Sequence, residues 1–223
     1  MTAAGFALER AFWARGLRAV AGVDEAGRGA WAGPVVAAVV VLPDAADLGE
    51  GADLDEVADL PYRDSKTLAP AVRERLAEHV RSRARAWAVA EADAAEVDAI
   101  GPLRATHVAA HRAIARLGIV PDAYVTDYLQ LRFEAGPMPL VAPARADATS
   151  LSVAAASILA KTHRDARMRA AARTFPAYGF ERHKGYGAPA HRAALEAHGP
   201  CPLHRRSYRP VAQCARPLLG GTA

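Results

Sequence analysis

The sequence predicts an α/β protein with a mixed sheet that is flanked by helices and followed by a helical C-terminal extension. Two apolar runs, at residues 19–23 and 35–42, lie on either side of a glycine-containing turn and predict two neighbouring strands. An alanine-rich stretch at 151–173 predicts a long helix. Strands early in the chain, followed by strands alternating with helices, indicate helices packed on a sheet.

The remaining elements are predicted from local patterns. A short amphipathic helix at 5–16 precedes the first strand, and apolar residues at four-residue spacing predict a helix at 70–84. The other predicted elements are a strand at 87–90, a helix at 94–117 broken at Gly101-Pro102, short strands at 123–126 and 140–142, and a helix at 189–198. An acidic surface loop is expected at 43–63.

The chain of 223 residues is long enough for one hydrophobic core. We expect a single domain over 1–223, with its core at about 19–175 and basic helices and a tail at about 176–223. No apolar run has the length of a membrane span, and the N-terminus lacks a signal pattern. Cys201 and Cys214 have no metal-ligand spacing. A reduced, cytoplasmic and monomeric protein is therefore expected.

The charge of the chain is unevenly distributed. Residues 1–100 carry 11 basic and 17 acidic side chains, whereas residues 151–223 carry 12 basic and 3 acidic ones. A basic C-terminal third is typical of a protein that binds a polyanion. The alternative is a solvated surface on a protein of high pI.

Acidic residues follow three of the predicted strands. Asp24 and Glu25 end the first strand, Asp127 follows the strand at 123–126, and Asp147 follows the strand at 140–142. Carboxylates converging at one sheet edge favour Mg²⁺ or Mn²⁺, which prefer oxygen ligands and can act in pairs. Taken singly, each aspartate could instead be a turn residue, and Asp147 could cap the next helix.

Two further patterns suit a phosphate-containing ligand. Gly27-Arg28-Gly29 combines glycines that let a ligand approach the backbone with an arginine fork. Ser157, Lys161 and Arg164 share one face of the long helix and could follow a phosphate backbone. The alternative for this face is ordinary solvation. Asp165 could pair with arginines and is assigned no catalytic role, and no histidine metal site is predicted.

The sequence resembles the ribonuclease HII family. The resemblance is carried by 22–29 with Gly33-Pro34-Val35, by Asp64-Ser65-Lys66, by 155–161 with Arg164-Asp165, by 183–187 with His191, and by His204-Arg205-Arg206-Ser207. These motifs occur in family order over about 19–208. The resemblance implies an RNase H-like fold. The related ribonuclease HIII carries an extra N-terminal platform domain, and we favour HII because only about twenty residues precede the first strand and Gly27-Arg28-Gly29 is intact.

The resemblance also implies a function. Family members are metal-dependent endonucleases that cleave RNA in RNA–DNA hybrids and incise on the 5′ side of single ribonucleotides in duplex DNA, leaving 3′-hydroxyl and 5′-phosphate ends. Their four metal-binding acids correspond to Asp24, Glu25, Asp127 and Asp147. The Gly27-Arg28-Gly29 loop corresponds to the sensor of the ribose 2′-hydroxyl, and Tyr186 to the tyrosine at the RNA–DNA junction. The implied phosphate contacts are Lys66, Ser157, Lys161, Arg164 and Lys184.

The chain departs from the family pattern at two acids. The third acid, usually in Val-Asp-Gly, lies in Thr126-Asp127-Tyr128, and the fourth follows Ala146 where glycine is usual. Two other functions remain open: an RNase H-fold nuclease acting on DNA, and a catalytically silent hybrid-binding protein. The 2′-hydroxyl sensor disfavours the first, and the four acids disfavour the second. No sliding-clamp motif is recognisable in 210–223, so the sequence identifies no replication partner.

Overall fold

The structure is a computed structural model, and it describes residues 4–44, 47 and 68–214. Its centre is a five-stranded sheet of order β3-β2-β1-β4-β5. The strands are β1 (Val20–Ala26), β2 (Val35–Val41), β3 (Ala86–Ala92), β4 (Ala123–Thr126) and β5 (Leu140–Val141). β1 pairs antiparallel with β2, and β2 pairs antiparallel with β3, whereas β1–β4 and β4–β5 are parallel. The predicted mixed sheet is confirmed.

Helices flank this sheet and follow it. They are α1 (Ala7–Trp13), α2 (Pro70–Arg83), α3 (Ala94–Ile100), α4 (Pro102–Ala115), α5 (Leu151–Thr174), α6 (Phe180–His183), α7 (Pro189–His198) and α8 (Arg209–Ala212), with 3₁₀ turns at Ala146–Ala148 and Pro176–Tyr178. The break predicted at Gly101-Pro102 separates α3 from α4, because Gly101 has φ +81° and Pro102 opens the next helix. No helix within the described ranges is long and apolar enough to cross a bilayer.

The core lies on both faces of β2, whose side chains are all buried. Val35, Ala37 and Val39 face the alanines of α4, and the alternate residues of the strand face α5 and α2. A strand buried on both faces has no polar face, which is why β2 appears in the sequence as a continuous apolar run.

The helix α5 lies directly against β1 and positions the site. A Cβ at Gly22 would lie 2.2 Å from the backbone carbon of Ser152, so only glycine allows this close packing. The C-terminal half of α5 carries Met168, which packs with Phe180, Leu195 and Val211 in a separate apolar cluster. The predicted helical C-terminal extension is therefore confirmed, and it is anchored to the same helix that supports β1.

Candidate active site

Carboxylates from two parallel strands meet at one end of the sheet. Val23 of β1 lies opposite Thr126 of β4, so the next residues, Asp24 and Asp127, are neighbours across the strands. Asp24, Glu25 and Asp127 line an open cleft of about 430 Å³. Its other lining residues are Ala26, Gly27, Arg28, Gly29, Lys161 and Tyr186. The structure thus brings together three of the four predicted acids, the glycine loop and two of the predicted substrate contacts.

Asp24 is the most strongly perturbed acid of the cleft. Burial raises its pKa well above the usual range, and the charges of Glu25 and Asp127 raise the pKa further. A hydrogen bond with Ser157 and one donated by the Glu25 amide, at 2.8 Å, act in the opposite direction. Negative charge is therefore concentrated where β1 ends. Ser157 is buried beside Asp24, so its position favours a role in holding this carboxylate rather than in binding phosphate.

The segment after β5 supports Asp127. The Ala146 amide donates a hydrogen bond of 3.1 Å to Asp127 Oδ1, and Asp147 is the next residue, buried in the 3₁₀ turn. Asp147 is not among the residues that line the cleft. It does not cap α5, because the Ser150 side chain accepts the capping hydrogen bond from Val153. The helix-cap interpretation of Asp147 is therefore wrong.

The donor set of the cleft suits a hydrated divalent cation. Within the described ranges, no three His, Cys, Asp or Glu side chains already form a closed metal-binding group. Mg²⁺ does not need one, since it keeps several waters and usually takes one or two carboxylates plus substrate phosphates. Burial raises the pKa of Asp24 most, and the repulsion from Glu25 and Asp127 that adds to this rise is what a bound cation relieves. The predicted oxygen-ligand site therefore fits the residues present.

The glycine loop between β1 and β2 is fixed by two buried arginines from distant parts of the chain. Arg164 donates to the Pro34 carbonyl from Nε and to the Ala32 carbonyl from Nη2, each at 3.0 Å. Arg205 donates to the Gly33 carbonyl from Nε and Nη2, and to the Arg28 carbonyl from Nη1 at 2.9 Å. The backbone of 28–34 is thus held by charge-assisted hydrogen bonds at four of its carbonyls.

The structure corrects the prediction for Arg164. Its side chain is fully buried under the glycine loop, so it cannot contact a phosphate from the exposed face of α5 as expected. Lys161, one turn earlier, does line the cleft. Burial lowers the pKa of Lys161, while the hydrogen bond with Asp165 raises it. Asp165 also pairs with Arg73 at 2.8 Å, which confirms that it binds basic residues.

Arg205 is a residue of the site that the sequence analysis did not assign. Its guanidinium donates to the carbonyl of Gly33, which lies 172 residues earlier in the chain, and its Nη1 also donates to the Tyr208 hydroxyl. Burial lowers its pKa, as it does for Arg164. The signal in the sequence is its place in the last family motif, but nothing local indicates a partner so far away.

Tyr186 enters the cleft from the side of the glycine loop. Its ring is 37% exposed and lies below the Arg164 guanidinium, at 4.9 Å from the ring centre. The preceding Gly185 carbonyl accepts hydrogen bonds from the Trp31 and Ala32 amides at 2.8 and 3.2 Å. Lys184 does not line the cleft, and its ammonium donates to the carbonyls of Glu181 and Arg182. The predicted contact Lys66 lies outside the described residues.

A chain of buried histidines supports the Tyr186 segment. His191 Nδ1 lies 2.9 Å from the Tyr186 carbonyl and must donate to it, so His191 Nε2 accepts from His204 Nε2 at 3.0 Å. His204 Nδ1 in turn accepts from the Cys201 amide at 3.0 Å. Burial, followed by the charge of His191, lowers the pKa of His204 to about 4. His191 and His204 therefore act as structural hydrogen-bonding groups that support the Tyr186 carbonyl.

Comparisons with known proteins agree with this geometry. The family model described as Ribonuclease HII matches residues 21–211. A Ribonuclease HII of Thermus thermophilus is 54% identical over 206 residues, which are 92% of this chain and 93% of that protein.

Solved structures show the same fold. Ribonuclease H2 from Pyrococcus horikoshii OT3 superposes with a TM-score of 0.71 at 26% identity, over 87% of this chain and 96% of that one. The ribonuclease HII solved in complex with PCNA from Archaeoglobus fulgidus gives a TM-score of 0.70 at 28% identity, over 90% and 98% of the two chains. The chain therefore belongs to the ribonuclease HII family of metal-dependent endonucleases, which cleave the RNA of RNA–DNA hybrids.

Proposed function

We propose that this chain, besides cleaving hybrids, incises duplex DNA on the 5′ side of a single embedded ribonucleotide and leaves 3′-hydroxyl and 5′-phosphate ends. Its proposed roles are ribonucleotide removal and RNA primer removal. The observation that carries the proposal is the cleft, in which three carboxylates, the glycine loop and Tyr186 face one another. A nuclease that ignored the sugar would need the carboxylates but not a rigid glycine backbone beside them.

Asp24, Glu25, Asp127 and Asp147 are the side chains proposed to hold two divalent cations, Mg²⁺ or Mn²⁺. When bound, such a pair activates a water and stabilises the leaving oxygen of a phosphodiester. The hydrogen bonds from the Glu25 amide to Asp24 and from the Ala146 amide to Asp127 orient these carboxylates before any ligand arrives.

The glycine loop is proposed to test the sugar for a 2′-hydroxyl. This group both donates and accepts hydrogen bonds, and it distinguishes RNA from DNA at a given nucleotide. Apart from Gly29 and its two chain neighbours, no protein atom lies within 4 Å of the position that a Cβ would take there, so its backbone is open to a close approach. Arg205 holds the Arg28 carbonyl of the loop, and Arg164 holds the Ala32 and Pro34 carbonyls that follow it, so the loop amides are preorganised, which is how fixed dipoles discriminate most effectively.

Tyr186 is proposed to pack on the sugar at the RNA–DNA junction, with its ring held by Arg164 and by the carbonyl contact of His191. Lys161, Lys184 and Lys66 are proposed phosphate contacts, and Arg28 adds a half-exposed guanidinium at the loop. Arg164 and Ser157 are reassigned as positioning residues, because both are buried.

Three matched duplexes test this proposal. One is all DNA, one carries a single ribonucleotide at the same position, and one is an RNA–DNA hybrid. Each is incubated with Mg²⁺, with Mn²⁺ and with a chelator, and the ends are mapped on a sequencing gel. Incision 5′ of the ribonucleotide and none of the all-DNA duplex is expected. Equal cutting of all-DNA duplex would indicate a DNA nuclease, binding without cutting would indicate a silent binder, and cutting of the hybrid alone would overturn the incision proposal.

A further inference from the structure

Tyr128 combines an unusual backbone with an unusual exposure. It has φ +59°, in the left-handed region that a bulky side chain rarely adopts, and its side chain is 74% exposed. It directly follows Asp127, whose carboxylate lines the cleft. An exposed aromatic ring contributes little to the core, so packing does not explain why this position holds a tyrosine.

Hydrogen bonds around Tyr128 account for its backbone conformation, but they do not account for an exposed tyrosine side chain at this position. Thr126 donates from its hydroxyl to the Leu129 carbonyl at 2.6 Å, and the Tyr128 amide donates to the Pro143 carbonyl at 3.3 Å. The first bond is local to the bend that follows β4, and the second ties this bend to the segment after β5. Glycine adopts such a φ without strain. A tyrosine with a backbone that suits glycine better, and with its ring in solvent, points to a ligand outside the protein.

Tyr128 lies on the opposite side of the carboxylates from Tyr186. β4 flanks β1 on one side, whereas the glycine loop that contacts the Tyr186 segment leads to β2 on the other. An exposed arginine, Arg145, lies on the Tyr128 side as well, immediately before Ala146, whose amide binds Asp127. Arg145 also has a left-handed backbone, φ +57°. An aromatic ring and an arginine on the same side of a cleft are groups that bind the bases and the phosphates of nucleic acids.

We propose that Tyr128 is a second aromatic contact for the nucleic acid, which packs against a base or sugar on the β4 side of the cleft while Tyr186 packs on the other side. The proposal rests on the proposed function only in taking the cleft as the place where the duplex binds. The proposed contact is made by the tyrosine that this chain has after Asp127, where the family usually has glycine.

Two variants test the proposal, because one should weaken binding without lowering stability and the other should leave binding unchanged. Tyr128→Gly relieves the backbone, so its Tm should equal the parent value or exceed it by up to about 2–4 °C. Its Kd for an RNA–DNA hybrid should nevertheless rise by about 5- to 100-fold, the usual effect of losing one stacking contact. Tyr128→Phe keeps the ring and should bind as the parent does. The dependence of Kd on salt should keep its slope in both variants, because the ring carries no charge.

Binding is measured by fluorescence anisotropy in an Asp24→Asn background, so that no substrate is consumed. Trp87→Ala is the control for losing an exposed aromatic elsewhere: Trp87 lies opposite Val40, toward the end of the sheet away from Asp24, and this variant should leave Kd unchanged. An unchanged Kd in Tyr128→Gly, or a lowered Tm in that variant, would overturn the proposal. Because these readouts need no cleavage, a failure to incise embedded ribonucleotides would count against the proposed function alone.

Discussion

Gly27 and Gly29 lie two residues apart in the glycine loop, and the structure predicts opposite consequences of replacing each by alanine. Gly27 has φ +94°, and a Cβ there would lie 1.9 Å from Nε of Arg164. Gly29 has a backbone outside the left-handed region, and a Cβ there would meet no protein atom within 4 Å. Gly27→Ala should therefore damage the fold, whereas Gly29→Ala should leave the fold intact and act only on the ligand.

The size of the Gly27→Ala effect follows from two costs. A left-handed backbone costs an alanine about 1–2 kcal/mol. The contact with Arg164 can be relieved only by moving a buried guanidinium away from the Pro34 and Ala32 carbonyls, and each hydrogen bond to a charged group contributes about 1.5–3 kcal/mol. The free energy of unfolding should fall by about 4 kcal/mol or more, a large part of the total for a typical domain. Gly29→Ala should change it by less than about 0.5 kcal/mol.

Urea denaturation gives the free energy of unfolding of each variant, and incision of the three matched duplexes gives its selectivity. Gly29→Ala should keep the parent stability but lose incision at a single ribonucleotide, because its methyl group occupies the space proposed for the sugar. Parent-like incision by Gly29→Ala would show that the sugar does not approach this glycine. A Gly27→Ala protein as stable as the parent would refute the described contact between Arg164 and the loop.

Other predictions concern the acids, the lysine of α5 and the buried histidines. Asp24→Asn should abolish cleavage and raise Tm, because it removes a buried charge that Glu25 and Asp127 repel; near-parent activity in Mg²⁺ would refute the metal assignment. Lys161→Ala should lower the salt slope of duplex binding by about one contact, whereas the control Arg169→Ala, on the same helix and paired with Glu74, should not. Burial lowers the pKa of His204 from 6.5 to about 4 in the folded protein. Between these two pH values, His204 therefore binds a proton in the unfolded chain but not in the folded one. Stability should therefore drop by about 2 kcal/mol between about pH 7 and about pH 5, and less in His204→Gln, as measured by urea denaturation at both pH values; equal drops would show that His204 is not held neutral.

The elements of the fold were predictable where one local signal dominates. The buried strand β2, predicted at 35–42, spans Val35–Val41, and the long helix predicted at 151–173 spans Leu151–Thr174. The strand order was not predictable in the same way, because it depends on pairings such as that of β1 with β4 across about a hundred residues. The short helices α6 and α8 are too brief to show periodicity, and their positions follow from packing on Met168 and its neighbours.

The candidate site, like the fold, was predictable where local patterns determine it and not where it depends on distant parts of the chain. Acids that end strands converge because parallel strands share an edge, so the cleft at Asp24 and Asp127 follows from the sequence pattern. Helical spacing correctly placed Ser157, Lys161 and Arg164 on one side of α5, but it carries no information about what covers that side. The covering loop is supplied by residues about 130 positions earlier, and it buries Arg164 while leaving Lys161 in the cleft. A charged residue is usually expected to be exposed, but Arg164 is buried because backbone carbonyls far away in the sequence accept its hydrogen bonds.

The arrangement of charges in the cleft links cation binding to nucleic-acid binding. Glu25 lies 3.5 Å from the Arg28 guanidinium, and the three acids face Lys161 across the same cleft. Without a cation, Glu25 attracts Arg28 and the three acids repel phosphates, so the cleft opposes the binding of a polyanion. Neutralising the acids releases Arg28 from Glu25 for phosphate contacts, whereas Lys161 stays paired with Asp165. Because such coupling is reciprocal, a bound duplex must raise the affinity of the acids for a divalent cation by the same factor by which the cation raises affinity for the duplex. Tyr128 and Tyr186 carry no charge, so their contributions to duplex binding should be independent of this coupling.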